Sequence, residues 1–313
     1  MKIIAQMDEI SSINLKTDST FTILLEAQNQ GHEIFYYLPN DLNFDSQNQK
    51  LSANVRKLRL QRKENDFFDI LEEKIQDLTN FDVILIRQDP PFNMSYVTTT
   101  YLLEKIKDQV LIINNPTEVR NCSEKIFATN FQDLCPPTII SSNIKTVQDF
   151  AELHGDTILK PLYSGGGEGI TLVKKDDQNL NSAFENLRKT YKTPVLAQKY
   201  LPQITKGDKR VLIVNGKAVG GISRIASAGS VKSNLHAGGS AHKLELSPRD
   251  QEICEIVGPE LKKRGLFFVG IDIIGDYLTE INVTSPTCIN ETNKLNNTQI
   301  EKIILEEIFK IKS

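Results

Sequence analysis

Three side chains that can supply oxygen ligands lie close together near the carboxyl end of the sequence. Asp272, Glu280 and Asn282 fall in the stretch GIDIIGDYLTEINVTSPT, which predicts a β-hairpin. Carboxylate and amide oxygens are the ligands that Mg²⁺ takes in nucleotide sites. Glu280 and Asn282 are two residues apart and therefore share one face of a strand. The pattern predicts a magnesium site, and a hairpin with one solvated polar face is the alternative.

The position of Asp272 depends on the turn that closes this hairpin. A two-residue turn, Gly275-Asp276, sends Asp272 and Glu280 to opposite faces of the ribbon, whereas a three-residue turn or a β-bulge brings them to one face. The metal site therefore predicts either the longer turn or a bulge.

A glycine-rich loop, SGGGEG at residues 164–169, follows a predicted strand that carries Lys160. No Gly-Lys-Ser/Thr follows, and a strand comes next instead of a helix, so the loop is neither a Walker A loop nor a dinucleotide fingerprint. Glycine N–H groups can approach phosphate oxygens closely, and a lysine on the preceding strand brings a positive charge to them. The loop is typical of a phosphate site, with a flexible hairpin tip as the alternative.

Composition excludes several classes of protein. The 313 residues are 39% hydrophobic and 25% charged, as in globular proteins. No apolar run reaches the ~18–20 residues of a membrane span, and the N-terminus becomes acidic too early for a signal peptide, so we expect no membrane partner and a cytoplasmic location. Net charge is −3, and the one basic stretch, residues 50–63, has no aromatic residue, which argues against nucleic acid. The cysteines and histidines form no zinc pattern.

The elements that must position these residues change in kind along the chain. Strands and helices alternate at first and include a buried apolar run, FDVILIR, which predicts an open parallel sheet. Antiparallel signals dominate later, among them a hairpin closed by Asn215-Gly216. We therefore predict an N-terminal α/β domain at residues 1–121, a central lobe with the glycine loop at 122–194, and a C-terminal lobe with the metal hairpin at 195–313.

Taken in order, these segments resemble the ATP-grasp superfamily and, within it, the bacterial-type glutathione synthetase family. The likeness runs over nearly the whole chain and is most specific in its C-terminal block. It is carried by INLKTDSTF (residues 13–21), QDPPF (88–92), NCSEKIF (121–127), GDKRVLIVNG (207–216), SNLHAGG (233–239) and FVGIDIIGDYLTEINVTSPTCI (268–289). The resemblance implies an α/β and α+β fold: an N-terminal open parallel α/β substrate domain followed by a two-lobed ATP-grasp unit with antiparallel sheets.

The resemblance also implies an ATP site. The two lysines and the glycine loop would contact phosphates, Gln198 and the backbone after it would meet adenine, and Asp208 would reach the ribose. The residues implied for ATP are Lys125, Lys160, Gly165, Gly166, Gly167, Gln198, Lys199, Tyr200, Leu201 and Asp208.

The resemblance further implies two Mg²⁺ ions, which Mn²⁺ can replace, held by the three hairpin residues with Glu280 as the bridge. The implied catalytic residues are Arg210, Arg224 and Lys232. A regular hairpin at Asn215-Gly216 places the two arginines on different faces, so the assignment requires a bulge, for which Gly220-Gly221 is suited. Without the bulge, Arg224 is a surface arginine.

The implied reaction joins γ-glutamylcysteine to glycine through an acyl phosphate and releases ADP and phosphate. Residues 226–241 would form a lid that excludes water, with a surface loop as the alternative. The implied substrate residues are Asp18, Ser19, Asn282, Ser285, Pro286 and Thr287. Asp18 and Ser19 are equally suited to capping a helix. The resemblance implies a homo-oligomer, with a tetramer as the expected form.

Two residues depart from the family pattern. Lys232 stands where the lid usually has an arginine, so the charge remains but the bidentate fork is lost. Glu168 places a negative charge in the phosphate loop, so either Glu168 points outward or the loop is repositioned. The alternatives to glutathione synthesis are a related ligase with another peptide or amino acid, and an ATP-binding protein without turnover.

Overall fold

The computed structural model describes residues 1–175, 178–226 and 238–312, which form a mixed α/β structure. Its strands are β1 (Lys2–Gln6), β2 (Glu33–Tyr37), β3 (Asn43–Asp45), β4 (Lys50–Leu60), β5 (Phe68–Asp77), β6 (Val83–Ile86), β7 (Leu111–Ile113), β8 (Thr138–Ser141), β9 (Thr157–Pro161), β10 (Thr171–Val173), β11 (Val195–Lys199), β12 (Asp208–Val214), β13 (Lys217–Ile225), β14 (Ser240–Lys243), β15 (Phe268–Ile274) and β16 (Tyr277–Asn282).

The helices are α1 (Ser19–Asn29), α2 (Met94–Glu104), α3 (Pro116–Asn121), α4 (Glu124–Ala128), α5 (Ile144–His154), α6 (Leu180–Tyr191), α7 (Pro248–Lys263), α8 (Ile289–Asn296) and α9 (Ile300–Lys312). Local chemistry sets their ends: the Asp18 carboxylate caps α1, and Ser247 with Asp250 forms a capping box at α7. Among these helices, none has both the length and the apolarity that crossing a bilayer requires.

The first sheet confirms the predicted α/β fold class. Its order is β3-β4-β2-β1-β6-β7, and β5 pairs with β4. Strands β2, β1, β6 and β7 pair in parallel, and their residues are almost all buried because both faces are covered. The antiparallel strands β3, β4 and β5 extend this sheet, and the sequence did not predict that extension.

Two antiparallel sheets follow, as predicted for the later part of the chain. The second sheet has the order β10-β9-β11-β8, and the third has the order β14-β13-β12-β15-β16. Strand β11 pairs with β9 and β8, so sheet membership places residues 195–199 with the central elements. The predicted limit between the central and C-terminal lobes, after residue 194, leaves this strand outside the sheet to which it belongs. The sequence of an apolar strand does not show which other strands it pairs with.

Two layers of core join the first and third sheets. Ile4 and Ile84 of the first sheet belong to the same cluster as Ile213 and Ile271 of the third. On the other side, helices α1 and α9 pack in a second cluster. The second sheet has a core of its own with α5 and α6. The central elements therefore form a separate body, and the cleft described below lies where that body faces the other two sheets.

Candidate active site

A cleft of about 1180 Å³ is bordered by all three sheets. The predicted site residues that the structure describes line this cleft, except Pro286. Lys232 and most of the predicted lid fall at residues 227–237, outside the described residues. The sequence therefore identified the residues of one large cavity, drawn from segments more than 250 residues apart.

The hairpin β15–β16 has the geometry that the metal prediction required. A two-residue turn, Gly275-Asp276, closes it, and a bulge after Asp272 then brings Asp272 opposite Glu280. Asn282 pairs with Gly270 on the same face. Of the two geometries predicted, the bulge is the one present.

A second bulge corrects the neighbouring hairpin β12–β13. The shift lies between Leu212 and Ile213, where Leu212 pairs with Gly220. Asp208 consequently pairs with Arg224, and Arg210 lies on the same face two residues away. Arg224 is 5% exposed, so the surface-arginine alternative is wrong.

The side chains of this face form one buried ionic network. Arg210 Nη2 donates to Asp272 Oδ2 at 2.9 Å, Arg224 Nη2 lies 3.1 Å from the same oxygen, and Arg224 Nε donates to Asp208 Oδ1 at 2.8 Å. Burial disfavours the Asp272 anion, but Arg210 and Arg224 outweigh it and hold the Asp272 pKa well below its ordinary value. Burial raises the pKa of Asp208 despite its pairing with Arg224.

Two lysines face this network: Lys160 on β9 of the central body, and Lys125 on α4, a helix that packs on the core of the first and third sheets. Lys160 Nζ donates to Gln198 Oε1 at 3.1 Å and lies 3.9 Å from Glu280 Oε1. Burial lowers the pKa of Lys160, although Glu280 opposes that shift. Lys125 Nζ donates to the Ser164 carbonyl at 2.7 Å and to Glu124. Both ammonium groups therefore lie along one wall of the cleft, where they can meet an anion.

The glycine loop links β9 to β10, and three of its glycines have positive φ. Gly166, Gly167 and Gly169 have φ of 64°, 75° and 73°, in the left-handed region where glycine is at ease. Glu168 is exposed and accepts a hydrogen bond from the Tyr191 hydroxyl at 3.2 Å, and both residues lie at the border of the cleft, so the expectation that Glu168 points outward stays a prediction. The strand–loop–strand prediction is confirmed.

The far end of the cleft joins the first sheet to α8. Asp18 Oδ1 accepts from the Phe21 N–H at 2.6 Å, so Asp18 caps α1, and burial raises its pKa. Ser19 Oγ accepts from the N–H of Ile289 at 3.3 Å, and Ser285 Oγ donates to the Arg87 carbonyl at 3.3 Å. These contacts hold the turn at residues 284–288 against the N-terminal domain.

Sequence reasoning missed several charged residues that line the cleft, among them Glu124 and Arg87. Glu124, beside Lys125, is partly buried, and that burial raises its pKa. Arg87 ends the apolar run of β6 and is 6% exposed. The sequence contains a signal for each residue: Glu124 stands next to a lysine at a helix start, and Arg87 follows a buried strand. A charge that is buried at such a position requires a partner or a ligand.

The oxygen donors of the hairpin fit a divalent cation. Asp272, Glu280 and Asn282 offer hard oxygens on one face, and Glu280 contacts only Lys160 among the ion pairs of the described residues. Within the same described ranges, no cluster of three or more His, Cys, Asp or Glu side chains is placed to hold a metal. The candidate ligands of the hairpin are two carboxylates and one amide. Such a set requires phosphate oxygens and water to complete an octahedral shell.

Solved structures with this fold include the ATP-grasp ligase PsnB, which matches with a TM-score of 0.63 at 14% identity, over 99% of this chain and 98% of that one. D-cycloserine synthetase DcsG matches with a TM-score of 0.68 at 12% identity, over 98% of this chain and 99% of that one. The D-alanyl-alanine synthetase A of Vibrio cholerae O1 biovar eltor matches with a TM-score of 0.62 at 14% identity, over 100% and 98%. The chain therefore shares its fold with these three proteins.

Matches to family models and to relatives identify the family within this fold. The model of the prokaryotic glutathione synthetase N-terminal domain matches residues 1–120, and that of the prokaryotic glutathione synthetase ATP-grasp domain matches residues 124–297. The glutathione synthetases of Brucella melitensis biotype 1 and Agrobacterium fabrum are 45% and 46% identical, over 98% and 97% of this chain and 98% and 95% of theirs. The chain belongs to the prokaryotic glutathione synthetase family.

Proposed function

We propose that this chain catalyses the ATP-dependent ligation of γ-glutamylcysteine and glycine to glutathione, with release of ADP and phosphate. The observation that carries the proposal is the row of charged side chains across β13, β12, β15 and β16, which faces Lys160 across the cleft. A row of this kind, on a chain of this family, suits phosphoryl transfer to a carboxylate.

ATP takes the side of the cleft formed by the central body and α4. Lys125, Lys160 and the glycines at 165–167 hold its phosphates, where the N–H groups and the two ammonium ions offset the charge. Gln198 and the backbone of residues 199–201 hold adenine, and Asp208 holds the ribose. Support for this comes from the position of Gln198 beside Lys160, which aligns a base-reading amide with a phosphate-binding cation.

Metal binding falls to Asp272, Glu280 and Asn282, which would hold two Mg²⁺ ions that Mn²⁺ can replace. When bound, these ions supply neutralising charge to the transferred phosphoryl group. Arg210 and Arg224 hold the reacting carboxylate in line with that group while remaining paired with Asp272.

The reaction then needs no nucleophilic side chain. A carboxylate oxygen of the donor peptide attacks the γ-phosphorus, the bond from phosphorus to the bridging oxygen breaks, and ADP leaves. The glycine amine attacks the acyl carbon, loses a proton, and expels phosphate. Water competes for the same acyl phosphate, so we assign residues 226–241 the role of a lid, with Lys232 as its cation.

The substrates occupy the end of the cleft that α1 and the turn after β16 form. Asn282, Ser285, Pro286 and Thr287 cradle glycine, and Asp18 and Ser19 contribute to the peptide pocket. We also propose a homo-oligomer, with a tetramer as the expected form, and a cytoplasmic location, where ATP and Mg²⁺ are abundant.

A phosphate-release assay tests the proposal. The purified chain is given Mg²⁺ and ATP, with γ-glutamylcysteine and glycine together, each alone, or neither. We expect release that requires both substrates and stops on chelation with EDTA. Release only with another peptide or amino acid would favour a related ligase, and nucleotide binding without release under any condition would overturn the assignment as an enzyme.

A further inference from the structure

Two aromatic rings meet across the joint between the central body and the first sheet. Phe92 comes after β6 and Tyr163 comes after β9, and their rings stack with centroids 6.3 Å apart and planes 25° from parallel. Among the ring pairs of the described residues, this is the one that joins the central body to the rest of the fold. Stacked rings at this separation attract each other beyond the effect of the area that they bury. The pair is therefore a specific contact between two bodies that have separate cores.

The neighbours of Phe92 in the chain hold its ring in place. Pro90 and Pro91 precede it and restrict the backbone. The Asn93 side chain accepts a hydrogen bond from the Tyr96 N–H at 3.1 Å and caps α2 directly after it. The Phe92 ring also packs against the ring of Tyr96, with centroids 5.2 Å apart, and Tyr96 is fully buried. Phe92 therefore offers a fixed surface on the side of the first sheet.

Tyr163 stands where the glycine loop leaves β9. The strand ends at Pro161, and the loop at residues 164–169 begins directly after Tyr163. The preceding Leu162 is buried, whereas Tyr163 is 41% exposed, so the core of the central body does not hold its ring. The loop backbone is permissive, because three of its glycines have positive φ. The stack on Phe92 therefore fixes the direction in which the loop leaves the strand.

Two further contacts join the start of the loop to elements outside the central body. Lys125 Nζ, on α4, donates to the Ser164 carbonyl at 2.7 Å. Gly165 lies close to Pro90, because a Cβ added at Gly165 would be 3.6 Å from the Pro90 Cβ, an ordinary van der Waals contact. The second half of the loop is instead hydrogen-bonded to α6 of the central body. The loop is thus attached on both sides of the joint, and the ring pair is its first attachment.

A small cavity adjoins the ring pair. Its volume is about 20 Å³, and its lining includes Val119, Cys122 and Leu162 beside the two rings. Protein cores contain few voids as large as a water molecule. The joint is therefore packed less completely than a core, so the two bodies can separate here at low cost, and the ring pair opposes that separation.

We propose that Phe92 and Tyr163 form an aromatic latch that holds the glycine loop closed over the phosphates of a bound nucleoside triphosphate. The inference rests on the proposed function, because it takes residues 165–167 as the phosphate-binding part of the loop. Both rings are positioning residues that act through the loop. One stacked pair shifts an equilibrium by about 2- to 10-fold, so a nucleotide that binds the closed loop is held more tightly by the same factor.

A double-mutant cycle on nucleotide binding tests the latch. Equilibrium binding of the non-hydrolysable ATP analogue AMP-PNP is measured with Mg²⁺ and without other substrates. Tyr163→Ala and Phe92→Leu should each raise its Kd about fivefold, within the range of one stacked pair. The double variant should also lose about fivefold, because the second substitution removes nothing further. Losses that multiply to about 25-fold, or single variants with the wild-type Kd, would overturn the proposal.

Steady-state kinetics separate positioning from a general structural defect. The same variants should raise KM for ATP about fivefold and keep kcat within about twofold, because saturating ATP closes the loop without the latch. Tyr163→Phe keeps the ring and should have the wild-type KM. A kcat that falls as far as kcat/KM would give Tyr163 a different role and refute the latch.

Tyr101→Ala is the matched control for Tyr163→Ala. The Tyr101 ring is 51% exposed and also has a specific contact, with the Arg120 guanidinium 4.1 Å from its centroid. Tyr101 is not among the residues that line the cleft. The same substitution there should leave both the Kd for AMP-PNP and the KM for ATP at the wild-type values.

A fluorescent reporter follows the stack directly. The chain contains no tryptophan, so Tyr163→Trp places a single one at the latch and keeps an aromatic ring. A ring stacked on Phe92 is shielded from solvent, so AMP-PNP with Mg²⁺ should lower the quenching of its emission by acrylamide. Adding Phe92→Leu should abolish this shielding. Equal quenching in the two proteins with nucleotide bound would contradict the proposal.

The outcome for the latch is separable from that for the proposed function. If the wild-type chain binds AMP-PNP but releases no phosphate with γ-glutamylcysteine and glycine, the proposed ligation fails and the binding cycle still decides the latch. If the wild type turns over and the cycle shows independent losses, only the latch fails. Should Phe92→Leu fail to fold, the exposed position decides alone: equal Kd values in Tyr163→Ala and Tyr163→Phe reject the proposal.

Discussion

Replacing Asp272 by Asn alters one charge at the centre of the ionic network. Asp272 is 5% exposed and accepts hydrogen bonds from Arg210 and Asn282, and Arg224 lies within ion-pair distance. Asparagine has nearly the same shape, so packing is kept while the negative charge is removed. The change therefore leaves two buried guanidiniums with Asp208 as their remaining close anion.

The size of the effect follows from this arrangement. Removing one charged partner from a buried pair costs about 3–5 kcal/mol, because the other charge stays desolvated. Arg224 keeps Asp208 at 2.8 Å, so we expect the lower end, about 3 kcal/mol of unfolding free energy. The chain should remain folded, since domains have about 5–15 kcal/mol of stability. Loss of a proposed metal ligand should also lower kcat/KM for ATP by at least 100-fold.

Urea unfolding and phosphate release at several Mg²⁺ concentrations measure the two effects separately. The control is Asp276→Asn, the same substitution in the same hairpin at an exposed turn position, for which we expect wild-type values of both. Full activity in Asp272→Asn at low Mg²⁺ would refute the metal assignment. Unchanged stability would refute the argument that this carboxylate compensates the arginines.

Three other changes test separate parts of the structure. Gly258→Ala places a Cβ 2.1 Å from the Gly216 carbonyl oxygen, so we expect a loss of about 2–3 kcal/mol in urea unfolding although alanine favours helices. The pKa of Glu104 is lowered to about 2, and the hydrogen bond from the Thr117 hydroxyl is the largest lowering effect. The Glu104 carboxylate therefore stabilises the fold above about pH 4.5, and this stabilisation is lost as the pH falls towards about 2. The urea midpoint of the wild type should fall over that pH range, and the midpoint of Glu104→Gln should fall less. Lys160→Met should raise or keep the melting temperature without nucleotide but lower kcat/KM for ATP about 100-fold, measured by thermal unfolding and phosphate release.

Local sequence signals predicted the parts of the fold that depend on neighbours along the chain. The strand–loop–strand at the glycine loop and the hairpin at Asn215-Gly216 are present as predicted, because glycine turns and alternating apolar residues act over a few positions. Helix α8 was not predicted, since NETNKLN has few apolar residues and its stability comes from packing Ile289 and Thr292 against distant elements.

The features that the sequence did not predict depend on contacts between residues far apart along the chain. Strand β5 is an edge strand with exposed residues such as Ile75, so it lacks the buried face that marks a strand. The sequence of strand β11 is apolar, and this pattern does not indicate which sheet the strand joins. Arg87 reads as the end of an apolar run, and its bond to the Pro286 carbonyl crosses 199 positions, a contact that no local pattern encodes.

The two bulges show how chemistry can constrain register where propensity cannot. Arg210 and Arg224, like Asp272 and Glu280, would lie on opposite faces in regular hairpins, so a shared task requires one extra residue in each ribbon. Gly220 has a φ of 159°, and a Cβ there would lie 2.8 Å from Thr292 Cγ2, so this position also excludes larger residues on packing grounds. The hairpin of Asp272 has no glycine at its bulge, where Thr279 Oγ1 donates to the Asp272 carbonyl at 3.1 Å. Only the requirement that charged side chains meet could predict the bulge in the β15–β16 hairpin.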